Sequence, residues 1–196
     1  VPLGYDSYGN VRSRGPATYG FDLGNRMSAS SQGGSYAYDG LGRRTVVQST
    51  DGSARLHAYG QDGLLLLSTS NGGGRPSSGT LYFYLGRKAI AQWNSASGTQ
   101  FMHTDALGSP VARTSIAGAP SVQRTRFEPF GAVAQGSKPG PATSLLGFTG
   151  HVQDGETDLV YMQQRYYDPI AGRFLSVDPV TTDEKTGSHF NRYVYA

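Results

Sequence analysis

Cysteine is absent from the 196 residues. This excludes disulfides, thiol catalysis and cysteine-ligated zinc together, and leaves the compartment open. Long hydrophobic runs are missing too. The densest apolar stretch, Leu64 to Leu67, is far too short to span a membrane as a helix. Charged side chains make up only 16% and hydrophobic ones 37%, both below ordinary usage in soluble domains. The start, Val1-Pro2-Leu3-Gly4, has neither Met nor an apolar signal core. The end, Tyr193-Val194-Tyr195-Ala196, reads as a strand in mid-course, and both ends are expected to be cuts from a longer polypeptide. What fills the composition is glycine, 28 residues, with 10 Pro, 13 Tyr and 8 Phe. Glycine and proline disfavour helices, and aromatics suit pleated sheets. No Gly-X-Y period runs through the chain, so collagen is excluded. The composition predicts an all-β, turn-rich protein.

The net charge of +3 comes mostly from arginine, which supplies 14 of the 17 basic residues. These are spread singly or in pairs (Arg12, Arg14; Arg43, Arg44; Arg124, Arg126) among acidic residues. A nucleic-acid binder clusters its cations, so no nucleic-acid partner is expected.

A repeat organises the first half. Tyr5-Asp6-Ser7-Tyr8-Gly9-Asn10, Phe21-Asp22-Leu23-Gly24-Asn25-Arg26 and Tyr38-Asp39-Gly40-Leu41-Gly42-Arg43 share a pattern, and Tyr59-Gly60-Gln61-Asp62-Gly63 is a weaker copy. The starts lie 16, 17 and 21 residues apart. Each unit reads as strand, turn, strand: the aromatic ends one strand, Asp caps the turn and Gly supplies a positive φ. A lone hairpin is marginal in water, so such units must stack side by side. The product is a coiled antiparallel sheet. Further along, Ser68 to Gly79 and Gly136 to Pro141 read as loops. Leu81–Leu85 with Ala89–Trp93 reads as a hairpin turning at Gly86. Phe101–Asp105 turns at Leu107–Pro110 into Val111–Thr114. Arg124 to Phe130 reads as a strand ending at Pro129, and Ser176 to Asp183 is the one helical candidate.

The Tyr-Asp units, and more specifically the segments after residue 100, resemble the RHS/YD-repeat proteins and their RHS repeat-associated core region. The resemblance is carried by His103-Thr104-Asp105-Ala106-Leu107-Gly108-Ser109-Pro110-Val111, by Phe127-Glu128-Pro129-Phe130-Gly131 and by Gly147-Phe148-Thr149-Gly150-His151. The most specific run is Tyr161-Met162-Gln163-Gln164-Arg165-Tyr166-Tyr167-Asp168-Pro169, continuing to Gly172-Arg173-Phe174-Leu175-Ser176-Val177-Asp178-Pro179. The resemblance implies stacked YD hairpins forming part of a spiralling β-shell, closed at one end by the core region. It divides the chain into repeats over 1–100, a core plug over 101–180 and the truncated start of a post-core segment over 181–196. It implies a bacterial toxin, secreted or translocated to a target cell. The expected partners are a C-terminal toxin domain of the same polypeptide and a secretion or toxin-complex partner.

The resemblance also implies an aspartyl autoprotease that frees the toxin domain, with Asp178 as one catalytic carboxylate and Arg165 orienting it. Such a site needs two carboxylates sharing a proton. The second, expected in an Asp-Pro-x-Gly step beyond this chain, is absent, so this chain alone is expected to be inactive. Structural readings stand beside these: Asp-Pro is a common turn starter, for Asp168 as for Asp178. His57, His103, His151 and His189 lie 46, 48 and 38 residues apart, without metal-ligand spacing, so neither metal nor cofactor is expected. His103, Asp105 and Ser109 carry triad residue types on one hairpin, where a turn is the better reading. The competing function is a carbohydrate- or receptor-binding module using Tyr36, Tyr38, Tyr59, Tyr82, Phe83 and Tyr84 as platforms. Period-two placement of these aromatics favours a packed sheet face instead.

Overall fold

The computed structural model describes residues 2–115, 122–136, 138–140, 144–183, 185–186 and 189–195. Among them thirteen strands form one antiparallel sheet in unbroken chain order. They are β1 (Leu3–Tyr5), β2 (Val11–Arg14), β3 (Ala17–Phe21), β4 (Met27–Ser30), β5 (Gly34–Tyr38), β6 (Arg44–Gln48), β7 (Ala54–Tyr59), β8 (Leu65–Gly72), β9 (Arg75–Leu85), β10 (Lys88–Asn94), β11 (Gly98–Thr104), β12 (Pro110–Ser115) and β13 (Val122–Arg124). β14 (Arg126–Phe127) and β15 (Val133–Gln135) pair as a short ribbon. β16 (Ser144–Leu146), β17 (Val152–Asp154), β18 (Val160–Met162), β19 (Arg165–Asp168) and β20 (Arg173–Phe174) form a smaller antiparallel meander, the cap sheet.

The aspartates build the turns of the repeat sheet. Asp6 Oδ1 accepts from the Tyr8 and Asn10 amides, Asp22 from Gly24 and Arg26, Asp39 from Leu41 and Arg43, and Asp105 from Leu107 and Ser109, all at 2.9 Å. The left-handed position four residues past each aromatic is Gly9, Asn25, Gly42 and Gly63. In the second unit it is therefore Asn25 and not Gly24 that takes the positive φ, a conformation Asn tolerates. Each aromatic sits at a bulge, where the register shifts between Gly4 and Tyr5, Gly20 and Phe21, Ala37 and Tyr38, and Ala58 and Tyr59. The aromatics then pair with Val11, Met27, Arg44 and Leu65. All four of those partners are buried.

The column they form packs against the cap sheet. One cluster joins Val11, Tyr19, Met27, Tyr36, Val47 and Leu65 of the repeat sheet to Leu146, Val152, Tyr161 and Tyr166 of the cap sheet. A second cluster lies on the cap sheet's other face, where Val160, Tyr167 and Phe174 meet Phe148, Phe127 and Tyr195. Both faces of the cap sheet are thus covered, and burial on both faces is why Tyr166 and Tyr167 are adjacent in sequence yet both buried.

Arg44 is the exception in the inward column. It is fully buried and grips the Asp154 carboxylate with both terminal nitrogens, the Nη2–Oδ1 contact being 2.8 Å. Its Nη1 also donates to the Tyr166 hydroxyl at 2.7 Å, and its amide donates to the Tyr161 hydroxyl at 2.7 Å. The guanidinium lies 4.6 Å from the Tyr161 ring centroid, within cation–π range. Beside it, Arg55 pairs with Glu156 at 2.8 Å and Ser49 donates to Glu156 at 3.0 Å. Nearer the chain start, Arg14 pairs with the buried Asp168 at 2.6 Å. Among the described residues three ion pairs therefore join the repeat sheet to the cap sheet and its β17–β18 turn.

Several local expectations are corrected. Ser68 to Gly79 is not a loop: β8 and β9 run through it, pairing Ser68 with Thr80, Thr69 with Gly79 and Ser70 with Ser78. Gly73 and Gly74 both have positive φ and let the chain reverse between them; main-chain pairing needs no apolar side chains. The strand expected over Arg124 to Phe130 is broken at Thr125, with β13 closing the large sheet and β14 opening the ribbon. Ser176 to Asp183 forms no helix. Pro179 disfavours helical geometry at Asp178, and Asp178 Oδ1 instead accepts from the Val180 amide at 2.9 Å. Of the loop expected over Gly136 to Pro141, Ser137 and Pro141 lie outside the described residues.

Two predictions follow from the buried charges. Removing Asp154 leaves the Arg44 guanidinium uncompensated, at a cost of about 3–5 kcal/mol. Asp154→Ala should lower urea stability by that order, and Arg44→Met combined with Asp154→Leu should regain most of the loss. If the double variant is no more stable than Asp154→Ala, the penalty does not come from stranded charge. His57 is the second case. It is buried between these pairs, and burial, then the Arg44 and Arg55 cations against the opposing Asp154, lower its pKa to about 3. The unfolded chain binds the proton first, below about 6.5, so stability is full above that pH and declines as pH falls toward 3. The slope from this proton approaches about 1.4 kcal/mol per pH unit. Urea midpoints measured from pH 7 to about 4.5, above the carboxylate range, should fall less steeply in His57→Leu than in the parent.

Candidate functional site

Arg165 and Asp178, far apart in the list of elements, meet. Arg165 opens β19, and strand alternation sends it away from the repeat sheet while Tyr166 points toward it. Asp178 follows β20 in the irregular chain that continues through Pro179. The Arg165 Nη2 to Asp178 Oδ2 distance is 2.7 Å, with the side chains 18% and 24% exposed. The guanidinium also lies 3.8 Å from the Phe174 ring centroid, and its Nη1 donates to the Arg192 carbonyl at 3.4 Å. Burial lowers the Arg165 pKa, with the Asp178 carboxylate opposing the shift.

The chain after residue 180 folds back over this pair. The Asp178 amide donates to the Arg192 carbonyl at 3.0 Å, and the Arg192 guanidinium donates to the Asp178 carbonyl. Phe174 N donates to the Tyr193 carbonyl at 2.8 Å, and Tyr193 reaches the Gly9 carbonyl at 2.6 Å. Tyr195 packs on Tyr167, Phe148 and Phe174. The ion pair is thus a partly solvated notch between cap sheet and returning chain. Among the described residues the Asp178 carboxylate meets Arg165 and the Val180 amide, and no second carboxylate hydrogen-bonds to it. One carboxylate held by a guanidinium can bind or orient a group, but it has no acid with which to share a proton.

The remaining candidates have structural roles. Asp168 is buried, pairs with Arg14 and caps the following turn through the Ile170 and Ala171 amides at 2.9 and 3.1 Å. His103, Asp105 and Ser109 do not join. His103 contacts Thr114 at 3.1 Å, Asp105 caps its own turn, and Ser109 Oγ accepts from the Thr149 amide at 3.0 Å. The residues that sequence reasoning missed are Arg44, Asp154, Arg55 and Glu156. The available signal was repeat alignment, which puts Arg44 in the column of Val11, Met27 and Leu65.

Comparison with known proteins fits this architecture. The profile of the teneurin YD-shell family matches residues 2–196. The tRNA3(Ser)-specific nuclease WapA of Bacillus spizizenii is 24% identical over 200 residues, covering 98% of this chain and 8% of WapA. Teneurin-1 of Gallus gallus is 32% identical over 142 residues, covering 72% of this chain and 5% of teneurin-1. The Photorhabdus luminescens Tc holotoxin pore shares the fold, with a TM-score of 0.73 at 17% identity over 98% of this chain and 10% of that one. This chain therefore spans a small part of the proteins it matches. A stack of Asp-capped hairpins matched along nearly its whole length by one profile has a plain assignment: the chain belongs to the teneurin YD-shell family, the RHS/YD-repeat shell proteins.

Proposed function

We propose that this chain is the end of a bacterial RHS toxin shell: YD repeats over 1–100, a closing plug over 101–180 and the start of a post-core segment over 181–196. The shell keeps a C-terminal toxin domain of the same polypeptide away from the producing cell until the protein is secreted or translocated. The observation that carries this is the cap sheet seated on one face of the repeat sheet through a shared core and three ion pairs. Relatives named as a tRNA nuclease and a Tc holotoxin supply the toxin context. In this reading Arg165 and Asp178 form half of an aspartyl autoprotease that releases the toxin domain. Arg165 orients the carboxylate, and the second Asp comes from further along the full protein. The post-core segment lying against the Asp178 loop supports this, because it brings following chain to the notch.

The receptor- or carbohydrate-binding reading loses five of its six platforms, Phe83 alone staying exposed. Tyr36 and Tyr82 are buried, and Tyr38, Tyr59 and Tyr84 pack against the core under the cap sheet.

The test is a gel of the full-length protein. We expect it to cleave itself into shell and toxin fragments, with no cleavage in Asp178→Asn and at least tenfold slower cleavage in Arg165→Ala. Asp168→Asn, if it folds, should still cleave. Cleavage that persists in Asp178→Asn would make the Arg165–Asp178 pair a structural contact.

A further inference from the structure

The hairpin tip of the cap sheet follows the row of turns along one edge of the repeat sheet. Gln163 donates to the Gly63 carbonyl at 2.6 Å, covering that turn. Past Gly63 the cap next meets this row at the β11–β12 turn, where the Thr149 amide donates to Ser109 Oγ. A cavity of about 300 Å³ remains under the next turns, bounded by Gly150 and His151 of the cap and by Leu107 of the β11–β12 turn. That volume is at the low end for small-molecule sites. Its walls are apolar and aromatic: Leu65, Tyr84, Leu146 and Val152. Its charged side chains among the described residues are of one sign. Arg87 and Lys88 both line it, and no aspartate or glutamate does.

Arg14, Arg26, Arg43, Arg44, Arg55 and Arg165 all pair with carboxylates, whereas neither Arg87 nor Lys88 has an ion pair among the described residues. Among the described residues the Arg87 side chain donates to the Asp62 main-chain carbonyl, at 3.3 Å. The Asp62 carboxylate of that adjoining turn accepts from its own Leu64 amide at 3.1 Å. His151 on the opposite wall is held neutral by burial first and the Arg87 cation second, its pKa lowered. An anion between these groups would gain two cations without displacing a carboxylate.

We propose that this cavity binds a carboxylate carried on an apolar body, the carboxylate at Arg87 and Lys88 and the body against Leu65, Tyr84, Leu146 and Val152. Such a group could come from a free aryl or alkyl acid or from the carboxy terminus of a polypeptide ending in an apolar residue. The chemistry is shared, and the experiment separates the sources.

The His151 ring resonances report the site and can be followed by NMR on this folded chain. The probes are 3-phenylpropionate, its neutral amide, inorganic phosphate, and a short peptide ending in phenylalanine with a free or an amidated carboxylate. Saturable shifts at His151 with 3-phenylpropionate or the free-carboxylate peptide are expected, accompanied by a rise in the His151 pKa. Both amides and phosphate should bind at least tenfold more weakly. Arg87→Gln with Lys88→Gln, two exposed positions, should weaken the acid at least tenfold while leaving the urea midpoint unchanged. Tighter binding of the peptide assigns the site to a chain terminus, and tighter binding of the free acid assigns it to a small molecule; either upholds the carboxylate site. No saturable shift with either acid, or equal binding of the amides, overturns it.

Discussion

A guanidinium in an apolar column is the constraint on which the rest of this structure depends. The inward column of the repeat sheet carries Val11, Met27 and Leu65, and Arg44 stands among them. A buried charge of this kind costs several kcal/mol unless it is paired and hydrogen-bonded. The Asp154 carboxylate and the Tyr166 hydroxyl take its two terminal nitrogens and the Tyr161 ring lies within cation–π range, while Nε has no partner among the described residues. All three come from the cap sheet, so the repeat sheet cannot bury this residue without that cap. An apolar residue at the same position would tolerate many ways of seating one sheet on another. A bidentate pair tolerates one. Arg55–Glu156 and Arg14–Asp168 repeat the device at two other points, fixing the cap against rotation as well as sliding.

The turns explain how a charge reaches that column. Each YD aspartate holds two amides, and the preceding aromatic sits at a bulge. A bulge adds one residue to one strand and so reverses which face the following residues occupy. Between Arg44 and Val47 there are three steps, an odd number that simple alternation would send to opposite faces, yet both are buried. The bulge opposite Tyr38 is the reason. Its recurrence gives the repeat its identity: aromatic at the bulge, Asp on the amides, a left-handed residue, then an inward side chain.

This also defines what could be read from sequence. The Tyr-Asp turns, the stacked antiparallel order and the hairpin at Gly86 were legible because local chemistry determines them: Asp capping, positive φ and aromatic placement act within a few residues. The β8–β9 pairing through Ser68 to Gly79 was not, because a strand held by main-chain hydrogen bonds between polar neighbours leaves no apolar alternation to detect. Asp154 and Glu156 were invisible for a different reason. Their partners lie 110 and 101 residues away, and one sequence carries no record of such distances. Arg165 and Asp178 were identifiable through family resemblance, and their meeting is a product of the fold.

One strand then links shell and notch. In β19 the side chains alternate: Arg165 and Tyr167 face away from the repeat sheet, while Tyr166 and Asp168 face it. Tyr166 touches Arg44 and Asp168 pairs with Arg14, whereas Arg165 holds Asp178 and Tyr167 donates to the Phe130 carbonyl at 3.0 Å. A strand is stiff along its length, so a shift of Tyr166 or Asp168 on the repeat sheet moves Arg165 with them. The notch therefore has its observed geometry only when the cap is seated, since the residues orienting Asp178 are spaced between residues that grip the shell. The geometry at Asp178 is for that reason tied to the seating of the cap, an ordering that follows from the period-two geometry of four consecutive residues, Arg165-Tyr166-Tyr167-Asp168.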